Sequence, residues 1–166
     1  MRHYQGSPQQ TTCSPANPDL HMVLLLAHAA ATMFMVGVIW FVQVVHYPLF
    51  ARVGASDFAA YSWANSRMTS LVVGPPMLVE AATGVALVIS TPSGISVSLV
   101  WAALVLLVSI WLSTAFLQSP RHTELAQGFA PPTHKSLVAS NWLRTILWSL
   151  RGLIVLWILA EAIGKA

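Results

Sequence analysis

Four long apolar runs, at residues 20–46, 69–90, 95–117 and 137–163, decide what this 166-residue chain can fold into. About 20 helical residues at ~1.5 Å each cross a ~30 Å hydrocarbon core, and each run is long enough to do so. Inside hydrocarbon every backbone N–H and C=O must be bonded within the protein, which a helix achieves within a single segment. Composition agrees: 56% of residues are hydrophobic and 8% charged, against roughly a quarter charged in a soluble domain. The expected fold class is all-α, an up-and-down four-helix bundle integral to a membrane, spanning residues 20–166.

Residues 1–19 (MRHYQGSPQQTTCSPANPD) are polar and proline-containing with no apolar period, and are expected to form a disordered tail. The lone cysteine, Cys13, falls there and has no intrachain disulfide partner. Met22 opens the first apolar run and is a second candidate start. That run continues through Val38, Ile39, Trp40 and Phe41 without a small-residue cleavage pattern, so it is expected to be a retained helix rather than a signal peptide.

The eight Lys and Arg residues give a formal charge of +3, but they are scattered singly. They form no basic stripe, so nucleic acid is not an expected partner. Two crossings separate the connections at 49–68 and 118–136, which therefore lie on one side. They carry Arg52, Arg67, Arg121 and Lys135, against Arg2 and Lys165 on the other side. Cytoplasmic loops hold the Lys and Arg excess. The expected location is a bacterial cytoplasmic membrane, with both long loops cytoplasmic and both termini outside.

Polar residues within the apolar runs are the candidates for function. With helices 2 and 4 starting at the long loops, Glu80 and Arg151 each lie roughly 15–17 Å deep, near the midplane. A charge there costs at least ~2.5 kcal/mol and is normally paired or faces a cavity, so a Glu80–Arg151 interaction is expected. In a square bundle helices 2 and 4 are diagonal, which would leave room for a ligand between the two side chains, bridged by water or Trp148. The alternative is that the pair only fixes packing.

In helix 1, Gln43 and His46 are three residues apart on one face, and Pro48 is expected to end the helix near Tyr47. Tyr47 and Trp40 equally fit interfacial aromatic anchors. In helix 4, Asn141, Arg144, Thr145 and Trp148 share a face with Arg151 at its edge, although Arg144 could instead snorkel to the headgroups. Ser98, Ala102, Ser109 and Ser113 give helix 3 a small-residue face for close packing. His46, His122 and His134 form a conceivable metal site. His28 and His46, eighteen residues and five turns apart (~27 Å), would suit two stacked haems, but helices 2–4 as delimited here contain no histidine for the opposite ligand. The cofactor is left unassigned.

The strings WFVQVVHYPLF, VVGPPMLVEAATG and SNWLRTILWSLRG resemble those of small bacterial four-helix membrane proteins without an assigned activity. In size and helix count the chain also looks like anthrone-oxygenase-like membrane proteins and the haem-binding four-helix protoporphyrinogen oxidase type. No catalytic motif of either matches residue by residue, so the resemblance implies the bundle and no activity.

Three function classes fit these residues. In a membrane-embedded redox or lipid-modifying enzyme, His46 would act as acid or base, Glu80 as a proton relay, and Arg144 and Arg151 as holders of an anionic group. Gln43, Tyr47, Asn141 and Trp148 would complete the site for an apolar or anionic small molecule. In a transporter or binding protein the same stripe is a path or pocket, which would need a homo-oligomer because four helices make a small pore. In an assembly subunit of a larger membrane complex the stripe would meet a partner helix.

Overall fold

The computed structural model describes residues 18–164, and among them it contains helices and no strand. Helix α1 runs Pro18–Phe41, widens into a π-helical turn at Val42–His46 and closes with Tyr47–Phe50. Helix α2 is Phe58–Ile89. Helix α3 is Val97–Ser113, continued by a second π turn at Thr114–Gln118 and by Ser119–Leu125. Helix α4 is Pro131–Ile163. All four are long and apolar enough to cross a membrane. The chain is a four-helix membrane bundle; the tail expected at 1–19 lies outside the described residues apart from the first residues of α1.

The helices outrun the apolar pattern. The supposed long loops at 49–68 and 118–136 are mostly helix, leaving links of seven residues (51–57) and five (126–130). Pro48 does not end α1 as expected. The Tyr47 N–H bonds back five residues to the Val42 carbonyl, and this wider turn relieves the clash that a proline ring makes with the preceding turn. The same device recurs in α3, where the Ser119 N–H bonds to the Thr114 carbonyl just ahead of Pro120. Pro131 and Pro132 sit in the first turn of α4, where a missing N–H costs nothing.

Neighbours in sequence pack side by side and α4 closes back on α1, so α2 stands diagonal to α4 and α1 to α3. Side chains divide the bundle into layers. At the hairpin end Leu25, Leu87, Ile95, Val100, Val155 and Ile158 form an apolar plug. In the middle Met35, Ile39, Leu107, Ile110 and Trp148 form a second apolar layer. At the loop end Tyr47, Phe50, Phe58, Leu125 and Leu137 form an aromatic cap. Polar side chains occupy the two gaps between these layers.

The helix ends are tied down. Glu161 on α4 accepts the Ser96 N–H at the start of α3 at 3.0 Å, and His134 donates from Nε2 to the Tyr47 carbonyl at 2.8 Å. Six of the seven tryptophans face outward, as expected of side chains at lipid and interface. The buried face of α3 is Val100, Ala103, Leu107, Ile110 and Ser113. Of the small-residue face expected there, only Ser113 is buried, because the helix is rotated to place Ala103 inward.

Close approach of α1 and α4 depends on Gly152. A Cβ there would stand 2.9 Å from Met33 Cε and 3.0 Å from Val36 Cγ2. Gly152→Val should destabilise the protein by about 1–3 kcal/mol through overpacking. Gly37→Ala, which meets open space, should be neutral or stabilising by up to ~1 kcal/mol. Thermal unfolding in detergent measures both; an unchanged Gly152→Val protein would mean the two helices are not in this contact.

Candidate functional site

The deeper polar layer is built around Arg151, whose side chain is fully buried. Its Nη1 pairs with Glu80 Oε1 in the one ion pair among the described residues, so the interaction expected from depth is formed. The guanidinium then reaches every other helix. Nη1 also donates to Thr32 Oγ1 on α1 at 2.8 Å, Nη2 meets His28 Nε2 at 3.2 Å, and Nε donates to the Ala103 carbonyl on α3 at 3.2 Å. That carbonyl can accept because it has a second lone pair beyond the one its own helix uses.

Hydrogens in this layer can be placed by elimination. The Thr83 hydroxyl donates to the Val79 carbonyl at 2.6 Å, so its lone pair receives the His28 Nδ1–H at 2.7 Å. The Nε2 lone pair of a neutral His28 then accepts from Arg151. Thr32 donates to Glu80 Oε1 at 2.7 Å. The layer is therefore net neutral, one cation against one carboxylate. The space beside it, between His28, Gly84, Ala103 and Arg151, is about 10 Å³, room for a single water. No ligand fits between Glu80 and Arg151, contrary to the gap expected from their diagonal placement. Both side chains are fully enclosed here, and their bonds join all four helices.

The outer polar layer is open. A cavity of about 460 Å³ lies between α2 and α3 with α1 as its back wall. The two helices touch near the hairpin, where Gly84 faces Leu104, and part toward the loop end. Met35, Val38, Ile39, Val42 and Val73 make an apolar floor, and His46, Tyr47, Asn65, Gln118, His122 and Arg144 supply the polar groups. Exposed Trp63, Ser70 and Ser119 stand at its mouth. Both π turns, 42–46 and 114–118, border this cavity, and such turns are frequent at functional sites because the extra residue re-aims side chains.

Within the cavity His46 Nε2 meets Asn65 Oδ1 at 2.8 Å, which as an acceptor fixes the proton on Nε2 and leaves Nδ1 as the base. The Tyr47 hydroxyl meets His122 Nε2 at 2.9 Å. Arg144 does not snorkel: it turns inward, bonds Asn141 Oδ1 at 3.2 Å and lies against the Tyr47 hydroxyl. Arg144 Nε and His122 Nδ1 are buried without a partner. Among the described residues no Asp or Glu lines the cavity.

No family model, curated protein or solved structure matches this chain.

The structure thus divides the residues singled out from sequence. His46, Tyr47 and Arg144 share the cavity with His122. Gln43 and His46 do not act together as expected, because the π turn sends Gln43 to α4, where its Oε1 accepts from Asn141 Nδ2 at 2.8 Å, and His46 to α2. Gln43 and Asn141 lie behind Arg144 and orient it. Trp148 sits in the apolar layer, 5.7 Å from the Arg151 guanidinium. The metal triad is not assembled: His134 is held by the Tyr47 carbonyl and the rings of Phe50 and Phe129, and no three metal-binding side chains converge among the described residues. His28 has both ring nitrogens engaged, one by Thr83 and one by Arg151. The longer α3 and α4 do carry histidines, His122 and His134, against the count made on shorter helices.

Four contributors escaped the sequence reading. Thr32 and Thr83 were legible, since each lies one turn from a polar partner (His28, Glu80) on one face. Asn65 and Gln118 fell in stretches read as loop. Arg151→Leu should lower stability by about 3–5 kcal/mol, because it leaves the Glu80 carboxylate buried and unpaired. Adding Glu80→Leu should restore much of that loss. Equilibrium unfolding in detergent reads the cycle, and additive losses would show that the two residues are not coupled.

Proposed function

We propose that this protein is a membrane-embedded enzyme that takes an apolar or amphipathic small molecule, quinone-like or lipid, into the cavity between α2 and α3 and transfers a proton on it. One observation carries this: His46, Tyr47, His122 and Arg144 meet at one apolar-walled cavity of about 460 Å³, a size typical of small-molecule sites. His46 Nδ1 is the base, taking a proton from the substrate while Asn65 holds the ring. Tyr47 and His122 form the opposite acid–base pair, and Arg144 holds a negative end.

A transport path through one bundle is a weaker fit, because the Met35, Ile39, Leu107, Ile110 and Trp148 layer closes the floor. We further place the loop end, with exposed Arg52, Arg67 and Lys135, in the cytoplasm of a bacterial cell.

Protein purified in mild detergent should carry an apolar small molecule detectable by solvent extraction and mass spectrometry, and Val73→Trp, which fills the cavity, should lose it while still folding. Incubated with that molecule, wild-type protein should yield a product of changed mass or isomeric form that His46→Phe does not. No enriched molecule would overturn the pocket, and binding without turnover would replace the enzyme by a binding protein.

A further inference from the structure

Building on that reading, we infer that the molecule is an amphipathic monoanion, an apolar body ending in a carboxylate, whose oxygens are received by Arg144 Nε and His122 Nδ1. The hydrogen-bond geometry points to the donors. The Tyr47 hydroxyl and His122 Nε2 share a bond at 2.9 Å, and its hydrogen is assigned to the tyrosine because a phenol O–H is a stronger donor than a neutral imidazole N–H. A neutral imidazole whose Nε2 accepts carries its proton on Nδ1. Both His122 Nδ1 and Arg144 Nε are therefore N–H donors, and both are buried with no acceptor. Buried donors left unmatched are costly, and the two residues that carry them both line this cavity, which marks where an acceptor belongs.

Charge decides which acceptor. Among the described residues Arg144 is the one Lys or Arg that lines the cavity, and no carboxylate among them lines the wall to neutralise it. The cation of the deeper layer, Arg151, is already matched by Glu80. One uncompensated positive charge in an apolar wall calls for one negative charge. A second negative charge is disfavoured by Gln118 Oε1, an unpartnered buried acceptor on the same wall. A carboxylate suits this better than a phosphate monoester. A long chain bound there would extend through the mouth between α2 and α3 into lipid.

The test is saturation binding of labelled oleate to full-length protein in phosphatidylcholine nanodiscs, with empty discs subtracted and methyl oleate and oleyl phosphate as competitors. Wild-type protein should bind one oleate saturably, with both competitors at least tenfold weaker, and Arg144→Gln should weaken oleate by about tenfold or more. His122→Phe should weaken it independently, which covers the case in which Arg144→Gln fails to fold; melting of the ligand-free variants identifies that case. Equal binding of methyl oleate would refute the anion while leaving an apolar pocket. Tighter oleyl phosphate would refute the monoanion. No saturable binding by any of the three would refute the carboxylate, and a co-purified neutral molecule would then show the pocket reading standing without it.

Discussion

One guanidinium ties this bundle together. Arg151 on α4 bonds a carboxylate on α2, a hydroxyl and an imidazole on α1, and a backbone carbonyl on α3. A charge in the hydrocarbon region is expensive unless paired and hydrogen-bonded, so each helix is held at the position that supplies its share. A small residue nearby follows from that need: Gly152 lets α1 reach α4. In lipid there is little hydrophobic drive between helices, and such polar contacts with close packing set their arrangement.

The clamp also explains why a cavity can exist in so small a bundle. With α1, α2 and α4 pinned at the Glu80 level, α2 and α3 are free to part about 10 Å higher, near the depth of Arg144, seven residues before Arg151 at ~1.5 Å each. The Trp148 layer separates the two polar levels. The lower level has its cation matched and its histidine locked in one tautomer. The upper level has unmatched donors and a mouth. Of two arginines on the same helix face, one is thus enclosed in an ion pair and the other borders an open cavity.

The membrane bundle was legible because four apolar runs of spanning length admit few other folds. Pairing of Glu80 with Arg151 was legible from depth alone, and the helix-4 face from its angular period. What the pattern did not show was how the stripe divides. Angular arithmetic assumes an unbroken α-helix, and each π turn adds a residue that rotates everything beyond it, which is why Gln43 and His46 part company. Pro48 carried that signal but read as a helix end, and Pro120 follows the second π turn in the same way. Apolar periodicity also stops where the helices leave the hydrocarbon, hiding Asn65, Gln118 and the helical setting of His122 and His134.

The division into a closed and an open polar level is best tested on the unmodified protein by exchange of the histidine C2 hydrogens in heavy water, read by mass spectrometry on protein in nanodiscs. His46, at the open level, should exchange well before His28, which has 3% of its surface exposed and both nitrogens engaged. If His28 exchanged as fast as His46, the Arg151 level would be open to water and the separation of clamp from site would be wrong.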